Sequence, residues 1–244
     1  MWSGERARSG PDADEGPSAT LKPLSILKRH VVRPALRWLR PPGPIASGLR
    51  IGLLGGSFNP PHEGHLYASE VALKRLGLDY VWWLVTPQNP LKPTVGVAPL
   101  HDRMRDASAL ARHPRILVMD IEHSLGTRYT VDTLRAIKRR FPRVHFIWLM
   151  GSDNLRGLRH WRRWPDLVMR VPIAVVLRPG SQLAPLQAKA IQRFSRARCP
   201  EKSVVGARPP AIAILDGKRN PQSSTALRAV LVPSEAVVGA IPSC

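Results

Sequence analysis

Cysteine and acidic side chains are both scarce in this sequence. Its 244 residues include only two cysteines, Cys199 and Cys244, in no spacing typical of a metal or redox motif, so we expect no disulfide framework and predict a reducing, cytoplasmic location. No apolar run approaches the roughly 18 residues that a membrane-spanning helix requires. A compact apolar segment of the kind found in secretory signals is also missing from the N-terminus.

The shortage of acids leaves a large positive charge. The chain has 17 Asp and Glu against 37 Lys and Arg, a formal net charge of +20. Such a surplus attracts anions, including nucleotides, nucleic acids and acidic membrane surfaces, without choosing among them. Apolar residues make up 43% of the chain, which is typical of a globular protein and enough for one α/β domain with a sizeable core.

Residues 1–48 differ in composition from the rest. Glycine-rich and acidic stretches precede LKPLSILKRHVVRPALRWLRPPGP, whose apolar residues fall roughly on one helical face with basic residues between them. A basic amphipathic helix over residues 21–40 would contact a membrane surface, but Pro34 would break it. Two interpretations stay open, a peripheral membrane contact and a mobile extension. We assign the folded domain to residues 49–232 and a C-terminal tail to 233–244.

From Leu49 onward, short apolar runs alternate with longer amphipathic segments. The nearly continuous apolar character of the runs indicates strands buried on both faces, as in a parallel sheet. The predicted strands are 50–55, 80–86, 115–120, 144–151, 172–177 and 211–215. The predicted helices are 64–77, 100–112, 130–140, 154–170, 184–196 and 223–231. This alternation predicts a doubly wound, Rossmann-like α/β sheet with helices on both faces.

The strongest motif is GGSFNPPHEGH, residues 55–65, directly after the first predicted strand. Gly55 and Gly56 allow a tight turn and close approach of a ligand to the backbone. His62 and His65 are three residues apart at the start of a helix, so both project to one side. The N–H groups and positive dipole end of that helix suit a phosphate. Two imidazoles aimed there can donate hydrogen bonds to oxygens that gain charge during a reaction.

A second phosphate motif is SSTALR, residues 223–228. Ser223, Ser224 and Thr225 lie where a helix begins, so their N–H groups suit β- and γ-phosphates. Arg228, one turn later, supplies a fixed cation. The alternative is a simple N-cap followed by a solvated arginine.

Several further residues follow predicted strands and point to a site at the carboxyl edge of the sheet. Gly151 and Asp153 follow the fourth strand, where Asp153 suits ribose hydroxyls or caps a helix. Trp161 offers a flat ring for stacking, while we expect Trp164 to pack in the core.

The string GGSFNPPHEGH resembles the signature of the H-x-G-H nucleotidyltransferases. TPQNPLKP (86–93), TRYTVDTL (127–134), MGSDNLRGLRHWRRWPDL (150–167) and SSTALR narrow the resemblance to bacterial nicotinate-nucleotide adenylyltransferases. The resemblance implies a nucleotidyltransferase-type fold. It also implies that His62, His65 and Arg228 are catalytic, and that the ATP-binding residues are Gly55, Gly56, Ser57, Phe58, His62, His65, Gly151, Asp153, Ser223, Ser224, Thr225 and Arg228.

At the nicotinate end, the resemblance implies contacts from Thr86, Asn89, Lys92, Tyr129, Thr130 and Trp161. Two of these residues have simpler alternatives: Lys92 is a solvated loop lysine, and Thr130 caps the helix that contains Asp132.

The implied reaction transfers adenylyl from ATP to nicotinate mononucleotide, giving deamido-NAD and pyrophosphate in NAD biosynthesis. Mg²⁺ is expected to be held mainly by ATP phosphates and water, because no acidic metal cluster is evident. The alternatives are an enzyme of the same superfamily with nicotinamide mononucleotide or another phosphate acceptor, and a basic nucleic-acid-binding protein. No zinc spacing, RNA-binding aromatic signature or recognition-helix pattern supports the last of these.

Overall fold

Six short apolar runs form the strands of one sheet in a computed structural model that describes residues 43–88, 96–177 and 188–216. The strands are β1 (Arg50–Gly56), β2 (Tyr80–Val85), β3 (Ile116–Met119), β4 (His145–Gly151), β5 (Ile173–Val176) and β6 (Ile212–Leu215). All six predicted strands are confirmed to within one or two residues at their ends.

The strands lie in the order β3-β2-β1-β4-β5-β6, and every neighbouring pair is parallel. This is the doubly wound arrangement, with its change of direction between β1 and β4. Leu54 is paired with Leu149, so the two strands finish two residues later at the same edge of the sheet. Ligands of open α/β sheets bind at such a position. The predicted fold class is confirmed.

Helices cover both faces of this sheet. In the described ranges they are α1 (Glu63–Arg75), α2 (Leu100–Leu110), α3 (Ile121–Leu125), α4 (Thr130–Arg140), α5 (Ser152–Gly157), α6 (Trp164–Val168), α7 (Lys189–Arg193) and α8 (Glu201–Val204). Short 3₁₀ turns span Leu158–His160 and Ser195–Ala197.

The prediction of a single helix over 154–170 is wrong. The chain there forms α5, a 3₁₀ turn and α6. Arg163 adopts a left-handed conformation with φ 52°, which an L-residue does not adopt within an α-helix. Pro165 then lies in the first turn of α6, where a missing N–H costs nothing. The proline therefore marks a new helix start.

The helices predicted from 64, 100 and 130 are confirmed as α1, α2 and α4. The helix predicted over 184–196 is shorter, because α7 ends at Arg193, and residues 184–187 lie outside the described ranges. The helix predicted over 223–231 lies outside them entirely. Two short helices, α3 and α8, are additional to those predicted.

Successive side chains of each strand enter opposite cores. Trp82 belongs to the cluster that includes Trp148 and Leu134, on the side of α4 to α7. Trp83 belongs to the other cluster, with Phe58 and residues of α1 and α8. All three tryptophans are at most 2% exposed. The period-two alternation along β2 explains how adjacent tryptophans can both be buried.

The boundary placed after residue 48 remains a prediction. Ile45 packs against the core on the Trp82 side, and the N–H of Gly48 donates to the carbonyl oxygen of Arg143 (2.8 Å). The basic segment 21–40 and the tail 233–244 lie outside the described residues. Across the described part of the chain, no helix has the length and apolarity needed to cross a membrane.

Candidate active site

His62 and His65 form a reciprocal capping box at the start of α1. The Nδ1 atom of His62 accepts a hydrogen bond from the N–H of Gly64 (3.1 Å). The Nδ1 atom of His65 accepts one from the N–H of His62 (3.2 Å). The ring centroids are 3.9 Å apart. His62 is 4% exposed and His65 is half-buried, so the predicted juxtaposition of the two imidazoles is confirmed.

The capping box also fixes the protonation pattern of the two rings. A neutral imidazole has one accepting nitrogen and one that carries hydrogen. Since Nδ1 accepts in both residues, the neutral rings carry hydrogen on Nε2. The Nε2 atom of His65 lies beside the end of β1, where a Cβ added to Gly56 would be 3.9 Å away. The backbone hydrogen bonds to the two Nδ1 atoms thus hold two Nε2–H donors at the start of α1.

The amides at this helix end are less available than the sequence suggested. The N–H of Gly64 is bonded to the His62 ring, and the N–H of His65 donates to the carbonyl oxygen of His62 (2.8 Å). Two of the N–H groups that we expected to face a phosphate are therefore already hydrogen-bonded within the start of α1. The imidazoles themselves are the more prominent donors at this end of α1.

Both glycines of the motif lie in β1 rather than in the predicted turn, and close packing requires a glycine at position 55. Both are the last residues of β1, and neither has a positive φ. A Cβ on Gly55 would lie 2.5 Å from Cη2 of Trp148, so this position must lack a side chain for the indole to pack. A Cβ on Gly56 would contact Phe58 at 3.4 Å, an ordinary van der Waals separation.

The buried ring of Phe58 packs against the His65 ring. It is 1% exposed, and its ring lies 4.5 Å from the His65 ring and 5.1 Å from that of Trp83, centroid to centroid. Trp83 Nε1 donates to Ser69 Oγ (2.8 Å), which donates to the His65 carbonyl oxygen (2.8 Å). Because its side chain is in the core, Phe58 offers a ligand its backbone only.

Arg103 joins the two loops that leave β1 and β2. This arginine of α2 is 2% exposed, and burial lowers its pKa. Its guanidinium donates to the carbonyl oxygens of Ser57 (2.6 Å), Thr86 (2.7 Å), Pro87 (2.8 Å) and Ala98 (2.8 Å). Its burial was not predicted, since a lone arginine in a polar helix gives no sign of burial.

At the end of β4, the alternative role for Asp153 does not hold. The N-cap of α5 is Gly151, with no side-chain cap hydrogen bond, and Asp153 is an exposed residue in the first turn. It lies at the carboxyl end of β4, next to the position where β1 leads into the His62 loop. A carboxylate there suits the hydroxyls of a ribose.

Trp161 lies after the 3₁₀ turn and packs edge-on against Trp148, with centroids 6.1 Å apart and rings at 83°. It is half-buried, so part of its ring is accessible. Its neighbour Arg162 places its guanidinium 4.8 Å from the centroid of the Tyr129 ring. Arg162 thus links the segment that contains Trp161 to Tyr129, while the binding roles of Trp161 and Tyr129 stay predictions. Trp164 packs edge-on against Phe194 (5.7 Å), which confirms its packing role.

Thr130 is not the cap of α4. The N-cap is Tyr129, without a side-chain cap hydrogen bond, and Thr130 is the first helical residue. The N–H of Thr86 donates to the carbonyl oxygen of Gly56 (2.9 Å). This amide is therefore engaged between the strand ends, whereas the Thr86 side chain hydrogen-bonds the carboxyl of Glu122.

Glu122 of α3 is the second residue that the sequence did not reveal. It is 4% exposed, and burial raises its pKa to about 7, against the smaller lowering effect of hydrogen bonds from Thr86 and Thr133. Carboxyl groups with strongly raised pKa values are frequent at functional sites. The residue lies between the end of β2 and the start of α4, the two segments predicted to bind nicotinate.

Six predicted site residues lie outside the described ranges: Asn89, Lys92, Ser223, Ser224, Thr225 and Arg228. Their roles stay predictions. Within the described part of the chain, no group of three His, Cys, Asp or Glu side chains could hold a metal ion.

The fold is similar to that of solved nicotinic acid mononucleotide adenylyltransferase structures. The chain is similar to Plasmodium falciparum nicotinic acid mononucleotide adenylyltransferase complexed with NaAD, with a TM-score of 0.59, 17% identity, and coverage of 76% of this chain and 85% of that one. The same enzyme complexed with APC gives 0.57 at 16% identity, covering 75% and 84%. At these identities the likeness supports the fold alone.

Sequence relatives are much closer. A "Probable nicotinate-nucleotide adenylyltransferase" of Parvibaculum lavamentivorans is 51% identical over 188 residues, 75% of this chain and 93% of the relative. One of Methylorubrum extorquens is 52% identical over 183 residues, 74% and 99% of the two chains. Residues 53–230 match the family model described as cytidylyltransferase-like. By these matches, the chain is a member of the nicotinate-nucleotide adenylyltransferase family within the cytidylyltransferase-like proteins.

Proposed function

We propose that this protein transfers the adenylyl group of ATP to nicotinate mononucleotide, releasing pyrophosphate and forming deamido-NAD in NAD biosynthesis. The observation that carries the proposal is the His62–His65 pair, with both Nδ1 atoms used as acceptors at the carboxyl end of β1. It occurs in a chain about half identical to nicotinate-nucleotide adenylyltransferases over nearly their whole length.

The chemistry needs no covalent intermediate with the protein. The 5′-phosphate of the acceptor attacks the α-phosphorus of ATP in line, and pyrophosphate leaves. Catalysis of such a transfer consists of positioning and of stabilising charge on the phosphate oxygens. We assign charge stabilisation to the Nε2–H groups of His62 and His65, which need no reorganisation because the capping box already fixes the rings.

The remaining ATP contacts come from both halves of the sheet. We assign the backbone of Gly55 to Phe58 to the triphosphate side and Gly151 with Asp153 to the adenosine ribose. Ser223, Ser224, Thr225 and Arg228 complete the proposal as ligands of the β- and γ-phosphates, where a helix start and a fixed cation favour negative charge.

Magnesium fits this site as a companion of the nucleotide. The donors around the two histidines are N–H groups, whereas Mg²⁺ prefers oxygen ligands and keeps several waters. We therefore assign the ion to ATP oxygens and water, where it supplies charge neutralisation to the triphosphate.

The acceptor is assigned to the segment on the other side of the site. Trp161 stacks on the pyridinium ring, for which stacking and cation–π attraction act together. Tyr129 and Thr130, which begin α4, and Thr86 surround the ring carboxylate, and Asn89 and Lys92 extend the loop after Thr86. The amide of Thr86 is engaged by Gly56, so the Thr86 contribution is assigned to its side chain. We place the reaction in the cytoplasm.

The test is pyrophosphate release from ATP with a panel of acceptors. We expect nicotinate mononucleotide to exceed nicotinamide mononucleotide in kcat/KM by roughly a hundredfold, because buried donors facing an amide lose their partners. Equal use of both would reject the nicotinate assignment. Release with phosphopantetheine only would retain the reaction class and replace the acceptor.

A further inference from the structure

Glu122 is a buried carboxyl with an unusual set of neighbours. Its side chain is enclosed at 4% exposure, and none of the ion pairs among the described residues includes it. Its Oε1 atom lies 3.4 Å from the Thr133 hydroxyl. Its Oε2 atom is buried without a hydrogen-bond partner in the described part of the chain. No ion pair among the described residues therefore accounts for the burial of this carboxyl.

The neighbours of Glu122 connect the two segments assigned to nicotinate. Thr86, at the end of β2, hydrogen-bonds the carboxyl. Thr133 also lies 3.3 Å from the carbonyl oxygen of Tyr129 and 2.8 Å from the Thr127 hydroxyl. The backbone of Glu122 takes part too, since its carbonyl oxygen accepts from the N–H of Thr127 (3.0 Å). One side chain thus lies at the junction of β2, α3 and α4.

We propose that Glu122 is a specificity-determining positioning residue for the acceptor: its carboxyl joins Thr86 to the start of α4 through Thr133, and its charge state controls how well a substrate carboxylate is accepted beside them. This inference rests on the proposed function. It adds Glu122 and its charge state as determinants of which acceptor is used.

The physical reason is electrostatic. Protonated Glu122 is uncharged and adds no negative charge beside Thr86 and the start of α4. Ionised Glu122 would put a negative charge beside Thr86 and the start of α4, the segments assigned to the ring, where it would repel the nicotinate carboxylate. In poorly solvated surroundings two such charges repel over several ångströms. A nicotinamide ring has no carboxylate and escapes this repulsion.

Other charges near Glu122 do not account for its behaviour. Helix α3 packs against β2 and α4. The charged and titratable groups on these elements and beside them are Asp79, Tyr80, Arg103, Asp120, His123, Arg128, Tyr129, Asp132, Arg135, Lys138, Arg139 and Arg140. The raised pKa of Glu122 arises from burial, with Thr86 and Thr133 opposing it, and from none of these groups.

The experiment compares the full-length protein with Glu122→Gln, which keeps the shape of the protonated side chain and cannot ionise. KM for nicotinate mononucleotide and for ATP is measured from pH 5.5 to 8.5, with nicotinamide mononucleotide as a competitive inhibitor. In wild type we expect KM for nicotinate mononucleotide to rise on the order of tenfold through pH 7. In Glu122→Gln it stays near the low-pH value.

The inhibition constant of nicotinamide mononucleotide is the matched control. It carries the same titrating phosphate as the substrate, so any part of the profile that it shares belongs to that phosphate. The inference requires that the change in affinity caused by ionisation of Glu122 is seen for nicotinate mononucleotide and not for nicotinamide mononucleotide. Identical pH profiles in wild type and Glu122→Gln would overturn it.

A second variant tests the same idea if Glu122→Gln does not fold. Thr133→Val removes a hydrogen bond that lowers the pKa of Glu122, so the inflection in KM should move to higher pH. An unmoved inflection would overturn the inference. Failure of wild type to use nicotinate mononucleotide at any pH would instead reject the proposed function, so the two failures are distinct.

Discussion

The Nδ1 atom of His65 accepts a hydrogen bond from the backbone N–H of His62. The His65 side chain, which we assign to phosphate binding, is therefore also part of the N-terminal cap of α1. Catalytic geometry and helix stability are therefore coupled at this position, and variants of either histidine should affect both.

His62→Ala should lower kcat by roughly 100- to 1000-fold, because one preorganised donor to the phosphate oxygens is lost. It should also lower the free energy of unfolding by about 1 kcal/mol, the usual cost of removing an N-cap side chain. Steady-state kinetics and urea unfolding measure the two effects. His62→Ser is the matched control, since serine caps a helix but is too short to reach the phosphate: stability should return and turnover should not. Normal turnover in either variant would contradict the assignment.

Arg103→Met should destabilise the protein by about 3 kcal/mol or more, because buried carbonyl oxygens lose a charged donor. The loops after β1 and β2 lose their common anchor, so KM for both substrates should rise. Arg105→Met on the same helix is the control: Arg105 is exposed and pairs with Asp102 and Asp106, so its loss should cost less than about 0.5 kcal/mol. Equal unfolding free energies for the two variants would reject the anchoring role.

The sequence was sufficient for the sheet because buried parallel strands are nearly all apolar, as in YVWWLV of β2. It was insufficient for 154–170, where apolar spacing suggested one helix although Pro165 indicated a new start. Helix α3 has only five residues, too few to display a helical period. Its end at Gly126, with φ 61°, was the available signal.

For the site, the motif residues were predictable because a helix start after a strand brings residues three apart together. Arg103 and Glu122 were not. Their sequence neighbours are polar, and only the tertiary structure shows that both are buried. Thr86 illustrates a further limit, since its position at the end of β2 was predictable but the partner of its amide depends on strand register.

Glu122 should make stability depend on pH. Its pKa in the folded protein, about 7, exceeds the ordinary glutamate value of 4.5, so the folded state binds more protons than the unfolded state between these values. Stability must therefore fall as pH rises through this interval. Relative to Glu122→Gln, the wild-type free energy of unfolding should decrease by roughly 3 kcal/mol between pH 4.5 and 7. A constant difference, measured by urea unfolding, would show that Glu122 has an ordinary pKa.

Trp161→Ala should raise KM for nicotinate mononucleotide about three- to tenfold, the usual worth of an aromatic stacking pair, and leave KM for ATP nearly unchanged. Trp164→Phe keeps an aromatic ring against Phe194 and controls for local packing. A larger effect on ATP than on the pyridine nucleotide would remove Trp161 from the acceptor side.

Deletion of residues 1–42 should leave adenylyl transfer intact, because every recognised motif begins after them. Deletion of 1–48 also removes Ile45 and the Gly48–Arg143 hydrogen bond, which should cost about 1–2 kcal/mol of unfolding free energy. Thermal unfolding and turnover of the two truncations distinguish these outcomes. Lost activity in a folded 1–42 deletion would show that the extension contributes to the site.

The strand order has a consequence for local motion. The ladder between β1 and β4 joins the first three strands to the last three, and the proposed nucleotide contacts lie on both sides of it, with His62 beyond β1 and Asp153 beyond β4. Opening of either half separates these contacts, so bound nucleotide opposes both openings by mass action. Amide hydrogen exchange should therefore slow together in β2 and β5 when ATP binds, although neither strand carries a proposed phosphate ligand.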